Sequence, residues 1–346
     1  MRPLVLSYAG VLPAFRAPPR HAGLGSAVLG RVTLGRNAWL GALSVVRADG
    51  HIVRVGDDCR IGARSTLHIT EGILPCILGD RVSVGENVCV HACTLGNDIV
   101  VGNEAVILDG AVVADDVVFE AGAVVFPNKQ VAGGFLYAGS PATAVRPLYE
   151  GEVARRRSSL EGPERLAPTA AVATHAASLN VHPSVFMAAS ASVRGRLSAA
   201  EGASIWFSTC CDAGAGHISI GARSNVQDNT LMRVSTELGI TVGPDSTVGH
   251  NAILGDCRIG AESLIGIGSR VASGTMIGDR VLLAAGARTQ PGQELESGWL
   301  YSGRPARKRA ALDANKLALI RLIVHQYCTY AREFKVRQEE RAGECR

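Results

Sequence analysis

GDRVSVGENVCVHACTLGNDIVVGNEAVILDGAVVADDVVFEAGAVV, the run from Gly79 to Val125, is written in sixes. Val82, Val88, Thr94, Val100, Val106, Val112, Val118 and Val124 recur at every sixth position, and Leu95, Val101, Ile107, Val113, Phe119 and Val125 form a second row beside them. A helix repeats near 3.6 residues and an ordinary strand at two, so a hexad of small branched residues reads as one short strand plus one turn. Three hexads then close one triangular coil of a parallel β-helix. The β-branched residues suit a pleated inward face, and Gly85, Gly96, Asn97, Gly102, Asn103, Asp109 and Gly110 suit corners where positive φ costs little. The repeat returns after a constant shift of 164 positions, with Ile253, Ile259, Ile265, Val271, Ile277 and Leu283 in the same phase.

That return divides 346 residues into two prisms of comparable size. Forty glycines and 5% aromatic residues fit coils with many corners and small aliphatic cores, and argue against helical bundles and disorder. A formal charge of +4, with no basic run and no interleaved aromatics, argues against a nucleic-acid partner. Nine cysteines without a CxxC pair or framework spacing, some of them (Cys89, Cys93) inside strand hexads, read as small hydrophobes in a reducing compartment. No apolar run approaches the ~20 residues that span a bilayer, so an integral membrane protein is not expected. Arg2, Arg16, Arg20, His21, Arg31 and Arg36 precede the first acidic residue, Asp49, which is the composition of an organellar transit peptide. The coil pattern is already visible from about Pro13, however, and leaves little to cleave.

In chain order, coils run from Val28 to Leu67, a loop from Thr70 to Pro75 interrupts them, and the main repeat closes at Pro127 before a Gly-rich exit, Gly133 to Ala142. Leu148 to Leu160 has the composition of a short Arg-rich helix, and Gly162 to Ala177 that of a linker. The second prism is expected from about Val181 to Pro291, with its own exit at Trp299 to Ala306. A helix from Asp313 to about Lys335 follows, because Lys316, Ile320, Ile323, Tyr327, Tyr330 and Phe334 fall at spacings of three and four. The expected domains are 1–148 and 181–311, with a linker at 149–180 and a helical tail at 312–346.

At these residues the chain resembles the γ-class carbonic anhydrases, and in particular their relatives in mitochondrial respiratory complex I. The Ser204-Ile205-Trp206-Phe207 coil, the turn holding Arg47 and Asp49, the Asn225, Gln227, Asp228 segment, Gly249-His250-Asn251-Ala252-Ile253-Leu254, Gly139-Ser140-Pro141-Ala142 and the terminal helix carry the resemblance. It implies two tandem left-handed parallel β-helices with a C-terminal α-helix, assembled as a trimer of prisms. It also implies a metal held by three histidines, two from one prism and one from its neighbour, with a water in the open position. Such a water has a pKa near 7, for which carbonic anhydrase is the standard case, and its hydroxide attacks carbon dioxide.

Mapped onto this chain, the first half keeps the first and last ligand positions as His68 and His91 and has Glu86 at the middle one. The second half keeps the middle one as His250 and has Arg233 and Gly255 at the others. Neither half is complete, but the losses complement one another. The resemblance therefore implies zinc, or iron, at one site between prisms formed by His68, His91 and His250, or no metal; in the opposite cyclic order of prisms His68 and His91 would take their third ligand from the partner chain and Arg233 would pair with Glu86. Arg47, Asp49, Asn225 and Gln227 are the catalytic-site candidates it supplies, Arg47 and Asp49 being expected chiefly to form ion pairs across the seam between prisms. Two prisms cannot make a trimer, so another γ-carbonic-anhydrase-like chain is the expected third. One function class is then a structural subunit peripheral to the mitochondrial inner membrane on its matrix side, with complex I membrane-arm subunits as partners. A second is a zinc lyase converting carbon dioxide to bicarbonate. Hexapeptide β-helices also carry acyltransferases, a third class.

Overall fold

The computed structural model describes residues 2–161 and 177–344, which belong to two compact units. In the first unit, strands of two or three residues stack in parallel and in register. Ser83 pairs with Arg60 and Val100, Cys89 with Thr66 and Val106, and Thr94 with Ile77 and Val112, one ladder for each face of a prism. The strand Val45–Val55 turns a corner without breaking: Val46 pairs with Leu67 on one face and Val53 with Cys76 on the next.

The inward positions come in pairs two apart, such as Val82 with Val84, Val88 with Val90, Cys93 with Leu95, Ile99 with Val101 and Ala105 with Ile107, all in one buried core. Only one of the two rows written in sixes therefore lines the core throughout, the other leaving it after Val88. Leu95, Val101, Ile107, Val113, Phe119 and Val125 point inward, whereas Val100, Val106, Val112, Val118 and Val124 sit between inner pairs and face out. The cause is a shortened corner. From Val90 to Leu95 the inward step is five residues, so a row counted strictly in sixes crosses from core to surface there. The pairing carries the same missing residue, since Cys89 meets Val106, 17 residues on, and Val106 meets Val124, 18 on. Outward valines have different fates. Val100 and Val118 are covered, with Leu136, by Leu148, Val153 and Leu160 around the helix α1, Glu152–Leu160. Val112 is 42% exposed.

Corners are stitched by side chains as well as by turns. The backbone N–H of Asp57 donates to Asp80 Oδ1, that of Asp80 to Asn97 Oδ1 and that of Asn97 to Asp115 Oδ1, at 2.8, 2.9 and 2.7 Å. Gly79 is required beside this ladder, because a Cβ there would lie 2.6 Å from Gly96 O and 2.7 Å from Asn97 Oδ1. The last parallel strand, Phe135–Gly139, is followed by an antiparallel one, Ala142–Pro147, that ends the sheet. Arg146 then grips the Glu152 carboxylate with two bonds of 2.8 Å, and the Tyr149 N–H donates to it at 3.0 Å. The Arg146 bonds first, and the Tyr149 bond next, hold that carboxyl at about 2.

The second unit repeats the plan. Its inward step from Leu254 to Ile259 is again five residues, 164 positions after the first. Hydroxyls add a ladder of their own at one corner, where Ser224 Oγ accepts from the Ser246 N–H and Ser246 Oγ from the Ser263 N–H, beside the Asp279 carboxylate that accepts from the Ala261 N–H. A closing hairpin, Trp299–Ser302 with Arg307–Ala311, again ends a sheet. The second prism starts at Ser178, and of the expected linker, 149–180, residues 162–176 lie outside the described residues.

The terminal helix α2, Ala314–Glu344, is longer than its apolar stripe suggested. It lies over the strands that contain Phe186, Ile205, Val226 and Val248, with Ile320, Val324, Tyr327, Tyr330, Ala331 and Phe334 buried. Ile323 is only half-buried, one step off the centre of the stripe. Phe334 meets Phe186, Trp206 and Phe207 at ring separations of 6.3, 5.9 and 5.4 Å. Among the described residues no helix is long and apolar enough to cross a membrane.

Candidate metal centre

His68 and His91 are register partners on adjacent coils, each the last residue of its strand. Coil stacking thus places their rings together, with His68 Nδ1 and His91 Nε2 3.2 Å apart. The opposite nitrogen of each ring faces a carboxylate. His68 Nε2 is 3.1 Å from Asp49 Oδ2, and His91 Nδ1 is 2.7 Å from Asp109 Oδ1, whose second oxygen accepts from the Thr70 hydroxyl at 2.6 Å. Arg47 and Asp49, both fully buried, pair with each other two residues apart on the corner-turning strand. Burial pushes the Asp109 carboxyl up, but the charge and hydrogen bond of His91, with the Thr70 hydroxyl, outweigh it and hold it down at about 2.

This arrangement has a chemical consequence. A carboxylate only accepts, so it draws the proton of a neutral imidazole to the nitrogen it faces. Two lone pairs then point at each other across 3.2 Å, and a shared cation, a proton or a metal ion, relieves that repulsion. The spacing suits a metal. Two nitrogens bound at ~2.0–2.1 Å to a tetrahedral ion lie about 3.3 Å apart, and a carboxylate behind each ligating histidine is the usual orienting partner. The residues present fit zinc or iron.

His250 follows the strand Thr247–Val248 in the second unit and is 1% exposed. Its Nδ1 lies 3.1 Å from Asp228 Oδ2, off the line of an N–H bond, and its Nε2 is 3.1 Å from the hydroxyl of Tyr327 on α2. Asn225 and Gln227 support it from below. The His250 N–H donates to Gln227 Oε1 at 3.1 Å, Gln227 Nε2 to Asn225 Oδ1 at 3.2 Å, and Asn225 Nδ2 to Thr247 Oγ1 at 2.9 Å. Both amides are buried, so they fix the backbone of the turn.

The other ligand positions of this unit are altered in place. Arg233 is exposed beside Asp212 in the next coil. Any side chain at Gly255 would put its Cβ 2.5 Å from Ser273 Oγ and 3.0 Å from Ser273 N, and Ser273 stands 164 positions after Asp109. In the first unit Glu86 is half-buried, and its N–H donates to Asn103 Oδ1 at 2.8 Å.

Sequence reasoning missed three partners: Asp109, Thr70 and the hydroxyl of Tyr327. Asp109 could have been found, since it lies one 18-residue coil after His91. Nothing in the sequence placed Tyr327 over His250, because its spacing marked it only as part of an apolar stripe.

Comparison with known proteins adds ancestry. The family profile described as "Hexapeptide repeat of succinyl-transferase" matches residues 52–92 and 256–287. Over 140 residues the chain is 40% identical to Protein YrdA of Escherichia coli strain K12, covering 39% of this chain and 76% of that one. Over 157 residues it is 29% and 31% identical to the mitochondrial gamma carbonic anhydrases 2 and 1 of Arabidopsis thaliana, covering 44% of this chain and 56% and 57% of theirs. It thus spans a little over half the length of those plant relatives. A putative acetyltransferase from Desulfovibrio desulfuricans G20 aligns over 91% of this chain and 71% of its own with a TM-score of 0.52 and 14% identity, a likeness of fold alone.

Proposed function

We propose that this chain, which belongs to the γ-carbonic-anhydrase-like family of hexapeptide-repeat proteins, is a largely structural member of a heterotrimeric module with at most one metal site per chain. The observation that carries the reading is the unequal preservation of the two units. His68 and His91 keep a nitrogen spacing of 3.2 Å and a carboxylate behind each ring, whereas Arg233, Gly255 and Ser273 stand at the corresponding places of the second unit. A cation and a closed corner exclude a second metal there. His250, kept where the first unit has Glu86, is the third ligand in this reading, so His68, His91 and His250 hold zinc or iron, leaving one position for water. The third prism comes from another γ-carbonic-anhydrase-like chain.

The printed names of the two plant relatives support a mitochondrial setting. There the module would sit on the matrix side of the inner membrane, against membrane-arm subunits of respiratory complex I. The intact surroundings of His68 and His91 favour one second reading, an active carbonate dehydratase that hydrates carbon dioxide to bicarbonate. Elemental analysis of the purified assembly before and after His250→Ala tests the site. Metal lost with His250 supports it, and metal retained in full places the third ligand elsewhere.

A further inference from the structure

This inference rests on His250 being a metal ligand, and it concerns the helix above that residue. The negative charge of Asp228 beside Nδ1 favours the tautomer with the proton on Nδ1, which leaves the lone pair on Nε2. That lone pair faces the Tyr327 hydroxyl at 3.1 Å. A metal ion would need the same lone pair at ~2.0–2.1 Å, and one lone pair cannot serve an ion and a hydroxyl proton together. Both side chains are buried, His250 at 1% and Tyr327 at 5% exposure, so the hydroxyl cannot simply turn into solvent. Nor is the ring loose. It packs edge-on against Trp206 at 5.0 Å and Tyr330 at 5.4 Å, so the hydroxyl moves only if the ring or the helix moves.

We propose that Tyr327 is a latch: its hydroxyl occupies the coordinating nitrogen of His250 in the metal-free protein, and metal binding must displace it, so that metal occupancy and the seating of α2 oppose each other. The test is a zinc titration of the full chain in its native assembly against a competing chelator, for wild type, Tyr327→Phe and His250→Ala. Phenylalanine keeps the ring packing and removes only the competing bond, so Tyr327→Phe should bind zinc about 3- to 10-fold more tightly. Hydrogen exchange over residues 320–334 should quicken when the wild type is saturated with zinc. Equal or weaker zinc affinity in Tyr327→Phe, with zinc lost in His250→Ala, overturns the latch alone. Zinc retained by His250→Ala overturns the latch together with the ligand assignment.

Discussion

A carboxylate stands behind each histidine of the first unit, and the two are not equivalent. Asp49 is fully buried and shared with Arg47, whereas Asp109 is shared with the Thr70 hydroxyl at a corner. Replacing Asp109 by Asn removes the charge that fixes the His91 tautomer while keeping the shape, and should weaken metal binding about 10- to 100-fold with little change in the fold. Chelator competition measures the first and thermal unfolding the second. At this scale the sequence was read through resemblance: His68, His91 and His250 were singled out because they fall at the family's ligand positions, and coil arithmetic then adds the residues stacked on them. Asp109 obeys the same arithmetic and was overlooked. Tyr327 does not, since its partner is 77 residues away on another kind of element, and no period connects them.

Each unit carries a helix against its prism, and the two are secured by different physics. The long α2 is held by aromatic burial, with Phe334 at 0% exposure among Phe186, Trp206 and Phe207. Phe334→Ala should therefore cost about 3–5 kcal/mol, read by chemical denaturation. Ile323→Asp, at a half-buried position, should cost less and should appear as faster hydrogen exchange in the same helix. The short α1 adds an ion pair to its apolar contacts with Val100 and Val118. The Glu152 carboxyl is held at about 2 by Arg146 and Tyr149, so its contribution is complete above the ordinary carboxylate range and is lost as the pH falls through about 2. Wild type should thus lose stability between about pH 4 and 2, while Glu152→Gln should start lower and show less of that loss. The position of α2 was legible from apolar spacing and that of α1 from composition. Which outward valines they cover was not, because the five-residue corner after Val90 shifts the phase of a count in sixes.

For the whole molecule, two prisms in a family expected to form threes imply a partner. Native mass spectrometry should find one copy of this chain with one single-prism chain, and a stable assembly of identical chains alone would refute that stoichiometry. The closing hairpins bear on assembly of another kind. A stack of parallel coils is a polymer that happens to stop, since the last coil presents the same open row of N–H and C=O groups on which it was itself laid down. Ala142–Pro147 and Arg307–Ala311 run against that grain, each turning the end of one sheet antiparallel. A copy of the repeat arriving at either of these faces meets a strand of the wrong polarity, so one sheet of each prism is closed against filament growth.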